Sequence, residues 1–388
     1  MAEVTRTPDW LAGGFGLYVH WPFCAAKCPY CDFNSHVTAQ IDQAAWLEAY
    51  RIEIERISAE TPGRVLRSIF FGGGTPSLME PEVVDGVISA ARAAWGFTND
   101  IEITLEANPS SVERGRFAGY ADAGVNRLSM GVQALNDHDL RRLGRLHSVA
   151  EARAAFEVAR GCFPRVSFDL IYARQDQSRG AWAAELREAL AMAVDHLSLY
   201  QLSIEEGTAF GVRAAAGGLR GLPSDDLSAD MYLETQDILG VAGMPAYEVS
   251  NHARDDAESR HNLIYWRQGD WAGVGPGAHG RLTVDGVRWA TEAHRAPGAW
   301  LAAVRSGSGE LPRSALPMEE QATEYLLMSM RLAEGMDILR YERLAGRRLD
   351  PARVATLADM GMVESDGRRL RTTGAGRPLL NAILRELA

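Results

Sequence analysis

The sequence predicts an α/β protein: a partial (β/α)6 barrel, TIM-like in plan, followed by a small C-terminal α+β unit of winged-helix type. Three observations predict it. Short apolar runs alternate with longer stretches of helical periodicity from about residue 16 to residue 242, and such crossovers are long enough for parallel strand pairing. The rhythm breaks at about residue 245, where aromatics, glycines and histidines crowd together. From residue 313 helical segments precede a single hairpin. The 388 residues are also more than one compact core usually serves.

The strands read in order as GLYVHW (16–21), VLRSIFFGGG (65–74), DIEITLEANP (100–109), VNRLSMGVQ (125–133), VSFDLIY (166–172) and HLSLYQL (196–202). Helices are expected over 41–58, 81–95, 111–123, 136–143, 148–160, 179–194 and 224–242. Residues 1–14 read as a short flexible lead, 15–244 as the barrel and 245–312 as an extension of it, with a hairpin over 280–290 turning at Asp285-Gly286. In the last unit, 313–388, helices fit 318–333, 338–345, 350–360 and 375–387, around a hairpin at 362–373 that turns at Asp366-Gly367. Winged-helix units often bind DNA, but residues 318–388 carry 11 Arg against 11 Asp plus Glu, and the whole chain has a net charge of −11. Without clustered cations a nucleic-acid partner is not expected.

The chain has four cysteines, and Cys24, Cys28 and Cys31 fall within eight positions. That suits a metal in a reducing compartment, not a disulfide framework. Cys162, in GCFPRVSFDL, reads as a buried small apolar residue at the start of a strand. The opening MAEVTRTPDW lacks the basic-then-apolar pattern of a leader. No apolar run approaches the ~18 residues of a membrane span. A cytoplasmic protein without a transmembrane segment is expected; whether it forms a homodimer is left open.

The cysteine loop, HWPFCAAKCPYCDFNSH (20–36), admits two metals. Structural zinc takes four protein ligands, and His20 or His36 would have to complete the set. A 4Fe-4S cluster takes three thiolates and leaves one iron open for a ligand. The spacing Cys-x3-Cys-x2-Cys, directly after the first strand, favours the cluster. Other strand ends carry polar or small residues that would face the same end of a barrel. Gly72, Gly73 and Gly74 close the second strand and would let a ligand approach backbone amides. Glu106, Gln133 and Asp169 sit on the third, fourth and fifth, and Arg145 follows in LGRLH.

CAAKCPYC resembles the signature loop of radical S-adenosylmethionine (SAM) enzymes. The resemblance implies a barrel of that type, a 4Fe-4S cluster on Cys24, Cys28 and Cys31, and SAM bound to the open iron through its amino and carboxylate groups. There the reduced cluster cleaves SAM to a 5′-deoxyadenosyl radical, and the protein supplies placement. The longer run LYVHWPFC, FFGGGTPS, LEANP, GVQAL, LGRLHS, FDLIY and LSLYQL resembles the coproporphyrinogen oxidase-like branch of that family. By that resemblance Tyr18, Gly73, Gly74, Thr75, Glu106, Gln133, Arg145 and Asp169 would contact SAM. One departure is DLIYARQDQS, which replaces the Gly-Leu-Pro turn usual in the branch and leaves the shape of 173–178 open.

The branch holds an oxygen-independent coproporphyrinogen III oxidase, which decarboxylates two propionates, and a heme-chaperone group, the HemW proteins. Here Phe33 stands where the oxidases carry a further cysteine, and fewer than 20 residues precede the first strand, against a longer extension in the oxidases. RHNLIYW places His261, Asn262 and Tyr265 in a His-Asn-x-x-Tyr pattern that resembles the heme-binding motif of the chaperone group. Imidazole is a common axial ligand of heme iron. Read without the family, NLIYW could equally be a core strand; His252, His279 and His294 are rival ligands. The expectation is a heme chaperone, with cluster and SAM, that passes heme to an acceptor hemoprotein of unspecified identity, with no catalytic residue assigned. The alternative is the oxidase, and a zinc-stabilised binding module is a third reading.

Overall fold

The computed structural model describes residues 8–38 and 40–388. Six strands alternate with helices as expected: β1 (Phe15–Trp21), β2 (Val65–Gly73), β3 (Gly96–Ala107), β4 (Arg127–Gln133), β5 (Arg165–Tyr172) and β6 (His196–Gln201). Each pairs in parallel with the next. The main crossover helices are α1 (Gln43–Glu60), α2 (Pro81–Ala94), α3 (Phe117–Asp122), α4 (Val149–Cys162) and α5 (Arg179–Met192), and α6 (Asp225–Val241) leads away from β6. Short polar side chains set several helix starts by accepting an amide of the first turn: Asp42 for α1, Ser148 with Glu151 in a capping box for α4, Ser178 for α5 and Ser224 for α6.

The period-2 alternation of the strands separates two environments. On β1, Phe15, Leu17, Val19 and Trp21 are buried in the core. Between them, Tyr18 faces a cavity inside the barrel, as do Phe70, Glu106, Ser129 and Asp169 of the other strands. The large apolar side chains that fill many barrels are thus mostly outside, and the interior keeps room for a ligand.

Beyond β6 the chain adds β7 (Asn251–Ala253), antiparallel to β6, then helix α7 (Arg260–Trp266) and β8 (Asp270–Val274). β8 is a seventh parallel strand, which the sequence rhythm does not reveal. It pairs with β1 on the side away from β2. The hairpin β9 (His279–Val284) and β10 (Val287–Glu292) turns at Asp285-Gly286, with φ of 50° and 78°, as expected. With β11 (Ser314–Ala315) the sheet has 11 strands in the order β11-β10-β9-β8-β1-β2-β3-β4-β5-β6-β7, and its two edges stay unpaired with each other. The barrel is therefore partial.

The last unit comprises α8 (Met318–Ser329), β12 (Met336–Asp337), α9 (Ile338–Ala345), α10 (Pro351–Asp359), β13 (Val363–Ser365), β14 (Arg369–Thr372) and α11 (Leu380–Leu387). It has its own core, which includes Leu326, Met330, Tyr341, Leu370 and Leu384.

Three expectations are corrected. The described part of the lead is not a flexible tail: Asp9–Ala12 forms a 3-10 turn, and Asp9 accepts from the Arg340 guanidinium at 2.6 Å; residues 1–7 lie outside the described residues. NLIYW is helical, because Ser259 caps α7 and the Glu102 carboxylate accepts the Arg260 amide at 2.9 Å. Cys162 ends α4 and is only half-buried. No helix among the described residues is long and apolar enough to cross a membrane.

Candidate functional site

A cavity of about 360 Å³ opens at the carboxyl ends of the parallel strands. Cys24, Cys28 and Cys31 line it, together with Tyr18, Gly73, Gly74, Thr75, Glu106, Gln133, Arg145, Asp169, His261, Asn262 and Tyr265. These residues, from strands, loops and a helix far apart in sequence, are thus brought to one place, whereas the rival histidines His252, His279 and His294 do not line it.

The cysteine loop is pinned at its base, where Phe23–Cys24 pairs with His36–Val37. Thr75 Oγ1 donates to Cys24 Sγ at 3.4 Å, and Arg145 donates to Cys28 Sγ at 3.3 Å. Burial pushes the Cys24 and Cys31 thiols up, so metal loading must release their protons. His20 is not a fourth ligand. Its Nδ1 pairs with Tyr18 Oη at 3.0 Å and its Nε2 with the Asn34 carbonyl at 2.9 Å. Among the described residues no three His, Cys, Asp or Glu side chains converge on a single-ion site. Three thiols with hydrogen-bond donors on two of their sulfurs fit the donor set of a cluster, whose potential such bonds tune. A bound cluster would supply the electron for SAM chemistry, and Cys24, Cys28 and Cys31 would form the cradle that holds it.

The glycines act differently from the expectation. The Gly74 amide already donates to the Trp21 carbonyl at 2.7 Å and the Thr75 amide to the Phe23 carbonyl at 2.8 Å. A Cβ on Gly74 would stand 2.6 Å from the Phe23 carbonyl oxygen, and Gly73 has φ of 107°. The glycines let the chain entering the cysteine loop cross the end of β2; they are not a free nest for a ligand.

Two carboxylates share the cavity. Burial, reinforced by the Asp169 charge, pushes Glu106 up to about 8. Burial raises Asp169 to about 6, against a Gln133 Nε2 donor at 3.0 Å. Gln133 takes φ of 71°, uncommon for a residue with a Cβ. Asn108 escaped the sequence reading, yet it links the two sulfur donors: its Nδ2 donates to Thr75 Oγ1 at 3.1 Å, and its Oδ1 accepts from Arg145. Its signal was available, since Asn108 follows Glu106 by two positions and strand alternation puts both on one face.

The histidines differ sharply. His261 is fully buried, with Nδ1 paired to Ser68 Oγ at 2.8 Å and Nε2 to Tyr265 Oη at 2.6 Å. Burial lowers it to about 3. It lines the cavity, but both ring nitrogens are already taken. His252 is buried outside the cavity with both nitrogens unpartnered. His279 is exposed on β9, and His294 is half-buried just after β10.

Fold and site together define the class, a radical SAM protein. Residues 18–180 match the model of the radical SAM superfamily, and residues 316–379 that of the HemN C-terminal domain. Over 383 residues the chain is 38% identical to radical S-adenosyl methionine domain-containing protein 1, mitochondrial, of Bos taurus, covering 96% of this chain and 86% of that protein. Over 381 residues it is 37% identical to heme chaperone HemW of Mycobacterium tuberculosis, covering 96% and 94%. Its structure matches that of coproporphyrinogen III oxidase (HemN) from Escherichia coli with a TM-score of 0.81, over 99% of this chain and 91% of that one; at 24% identity this is a likeness of fold. The chain belongs to the coproporphyrinogen oxidase-like branch of the radical SAM superfamily and is similar along its length to the HemW proteins. The family implies a 4Fe-4S cluster and SAM.

Proposed function

We propose that this protein is a heme chaperone that holds heme beside its cluster site and passes it to an acceptor hemoprotein. The observation that carries the reading is the surroundings of the cysteine loop. Phe33 stands where an oxidase of this branch has a further cysteine, and it is 59% exposed. The His261-Asn262-x-x-Tyr265 segment forms one wall of the same cavity. Similarity over 96% of the chain to a protein named heme chaperone supports it. In this reading Cys24, Cys28 and Cys31 hold the cluster, and Tyr18, Gly73, Gly74, Thr75, Glu106, Gln133, Arg145 and Asp169 contact SAM.

The test is anaerobic reconstitution with heme and, in parallel, with coproporphyrinogen III. The expected result is a Soret band with heme, its loss to an added apo-hemoprotein, and no decarboxylated porphyrin. Turnover of coproporphyrinogen with SAM consumption would establish the oxidase instead.

A further inference from the structure

Two sulfurs of the cysteine loop receive hydrogen bonds from side chains outside it, and both donors lead back to one amide. Thr75 Oγ1 donates to Cys24 Sγ at 3.4 Å, and Arg145 Nη1 donates to Cys28 Sγ at 3.3 Å. Asn108 Nδ2 donates to Thr75 Oγ1 at 3.1 Å, and Asn108 Oδ1 accepts from Arg145 Nη2. Resting on the family's 4Fe-4S cluster and not on the chaperone reading, we propose that Asn108 is a positioning residue for that cluster. It fixes the direction of both sulfur hydrogen bonds and so sets the reduction potential.

The direction of each bond follows from the protons available. A guanidinium has donors and no acceptor. Facing Arg145, Asn108 must present its oxygen, which turns its NH2 toward Thr75. The Thr75 hydroxyl carries one proton. Its oxygen accepts from Asn108, so that proton is left for Cys24. The amide is thus an acceptor on one side and a donor on the other. An ionised aspartate offers acceptors alone. It would draw the Thr75 proton to itself and leave Cys24 without that donor.

The brace is held in place by the chain itself. The Asn108 amide donates to the buried Glu113 carboxylate at 2.7 Å, and Ser110 Oγ donates to the same carboxylate at 3.1 Å. Arg145 Nη2 also donates to the Gly131 carbonyl at 2.9 Å. Gly131 gives the guanidinium its room, since a Cβ there would stand 3.3 Å from Nη2. Thr75 is almost wholly buried, and its own amide is spent on the Phe23 carbonyl. Hydrogen bonds to the sulfurs favour the reduced, more negative cluster, so their loss lowers the potential.

The experiment is a redox titration of the anaerobically reconstituted full chain without SAM, read by the EPR signal of the reduced cluster. Thr75→Val removes one sulfur donor with no change of charge. Its cluster should be about tenfold harder to reduce at a fixed poise, the scale of one hydrogen bond to a charged group, which is a shift of about 59 mV to lower potential. Thr75→Ser should restore the wild-type value. Asn108→Ala, which touches no sulfur, should shift the potential in the same direction, and by less in the Thr75→Val background than alone. A wild-type potential in Thr75→Val, or additive shifts in the double variant, would overturn the proposal. So would an Asn108→Ala protein that loads less cluster but at the wild-type potential, because Asn108 would then support only the fold of the loop. A wild-type protein that assembles no cluster removes the family's cofactor from this chain, and the proposal with it.

Discussion

Glu106 and Asp169 are the residues through which pH should reach the cofactor site. Native Glu106 holds its proton to about 8, against an ordinary 4.5, and Asp169 to about 6, against 3.8. The native state therefore binds more protons than the unfolded chain between those values, so stability is full below the lower values and declines as pH rises through this window. The melting temperature of the ligand-free protein should fall from about pH 4 to about pH 8, and Glu106→Gln should flatten the upper part of the slope. Positively charged SAM favours ionised Glu106, so its affinity should rise over the same range with release of a proton. Calorimetric titration of SAM in buffers of different ionisation heat reads that proton directly; no release would remove Glu106 from contact with the cation. At this scale the sequence was informative wherever a residue's neighbours in the chain are also its neighbours in space. The cysteine spacing and the polar strand ends were legible. The spent amides at Gly74 and Thr75 were not, because their acceptors lie on β1 and its extension into the cysteine loop.

The loop after β5 shows how an element can be set by partners outside it. The sequence left 173–178 open, since the usual turn is replaced. The structure bends there through Ala173 and Asp176, at φ of 57° and 59°. Arg174 is almost wholly buried between Glu185 of α5 at 2.5 Å and Asp139 at 2.9 Å, and it donates to the Ile171 carbonyl at 2.7 Å. Glu185 in turn accepts the Leu135 amide at 2.6 Å. Removing the cation leaves buried carboxylate charge uncompensated, which typically costs about 3–5 kcal/mol. Arg174→Met should therefore lower the urea midpoint by that equivalent, and an unchanged midpoint would show the cluster to be dispensable. The same locality explains the element-level result. Strands β1 to β6 were legible because each pairs with its successor across a helix. Strand β8 was missed because it pairs with β1, across about two-thirds of the chain.

The described residues form two main apolar cores, one in each unit and linked by a polar seam, and a smaller third cluster around Leu140 and Phe210. Both cores could be anticipated from periodicity; the seam could not, since Asp9 and Arg340 are 331 positions apart. Arg340 donates to Asp9 and to the Arg267 carbonyl, Arg267 pairs with Glu334 at 2.9 Å, and Arg281 with Glu324 at 2.6 Å. Arg267 follows α7 and Arg281 lies on β9, the two elements that supply Trp266 and His279 to a cleft of about 480 Å³ beside the cluster cavity; α8 of the C-terminal unit supplies Met328. The seam therefore ties together the elements that border that cleft. Arg281→Ala with Arg340→Ala removes two of these ties while leaving both apolar cores intact. The double variant should unfold in two calorimetric steps where the wild type unfolds in one, since each unit keeps its own core but loses the coupling. Its SAM affinity should stay near the wild-type value, because the residues of the cluster cavity stand on the barrel strands and the loops beyond them, away from the seam. A single transition at the wild-type temperature would mean that the ion pairs merely decorate a junction held by packing alone.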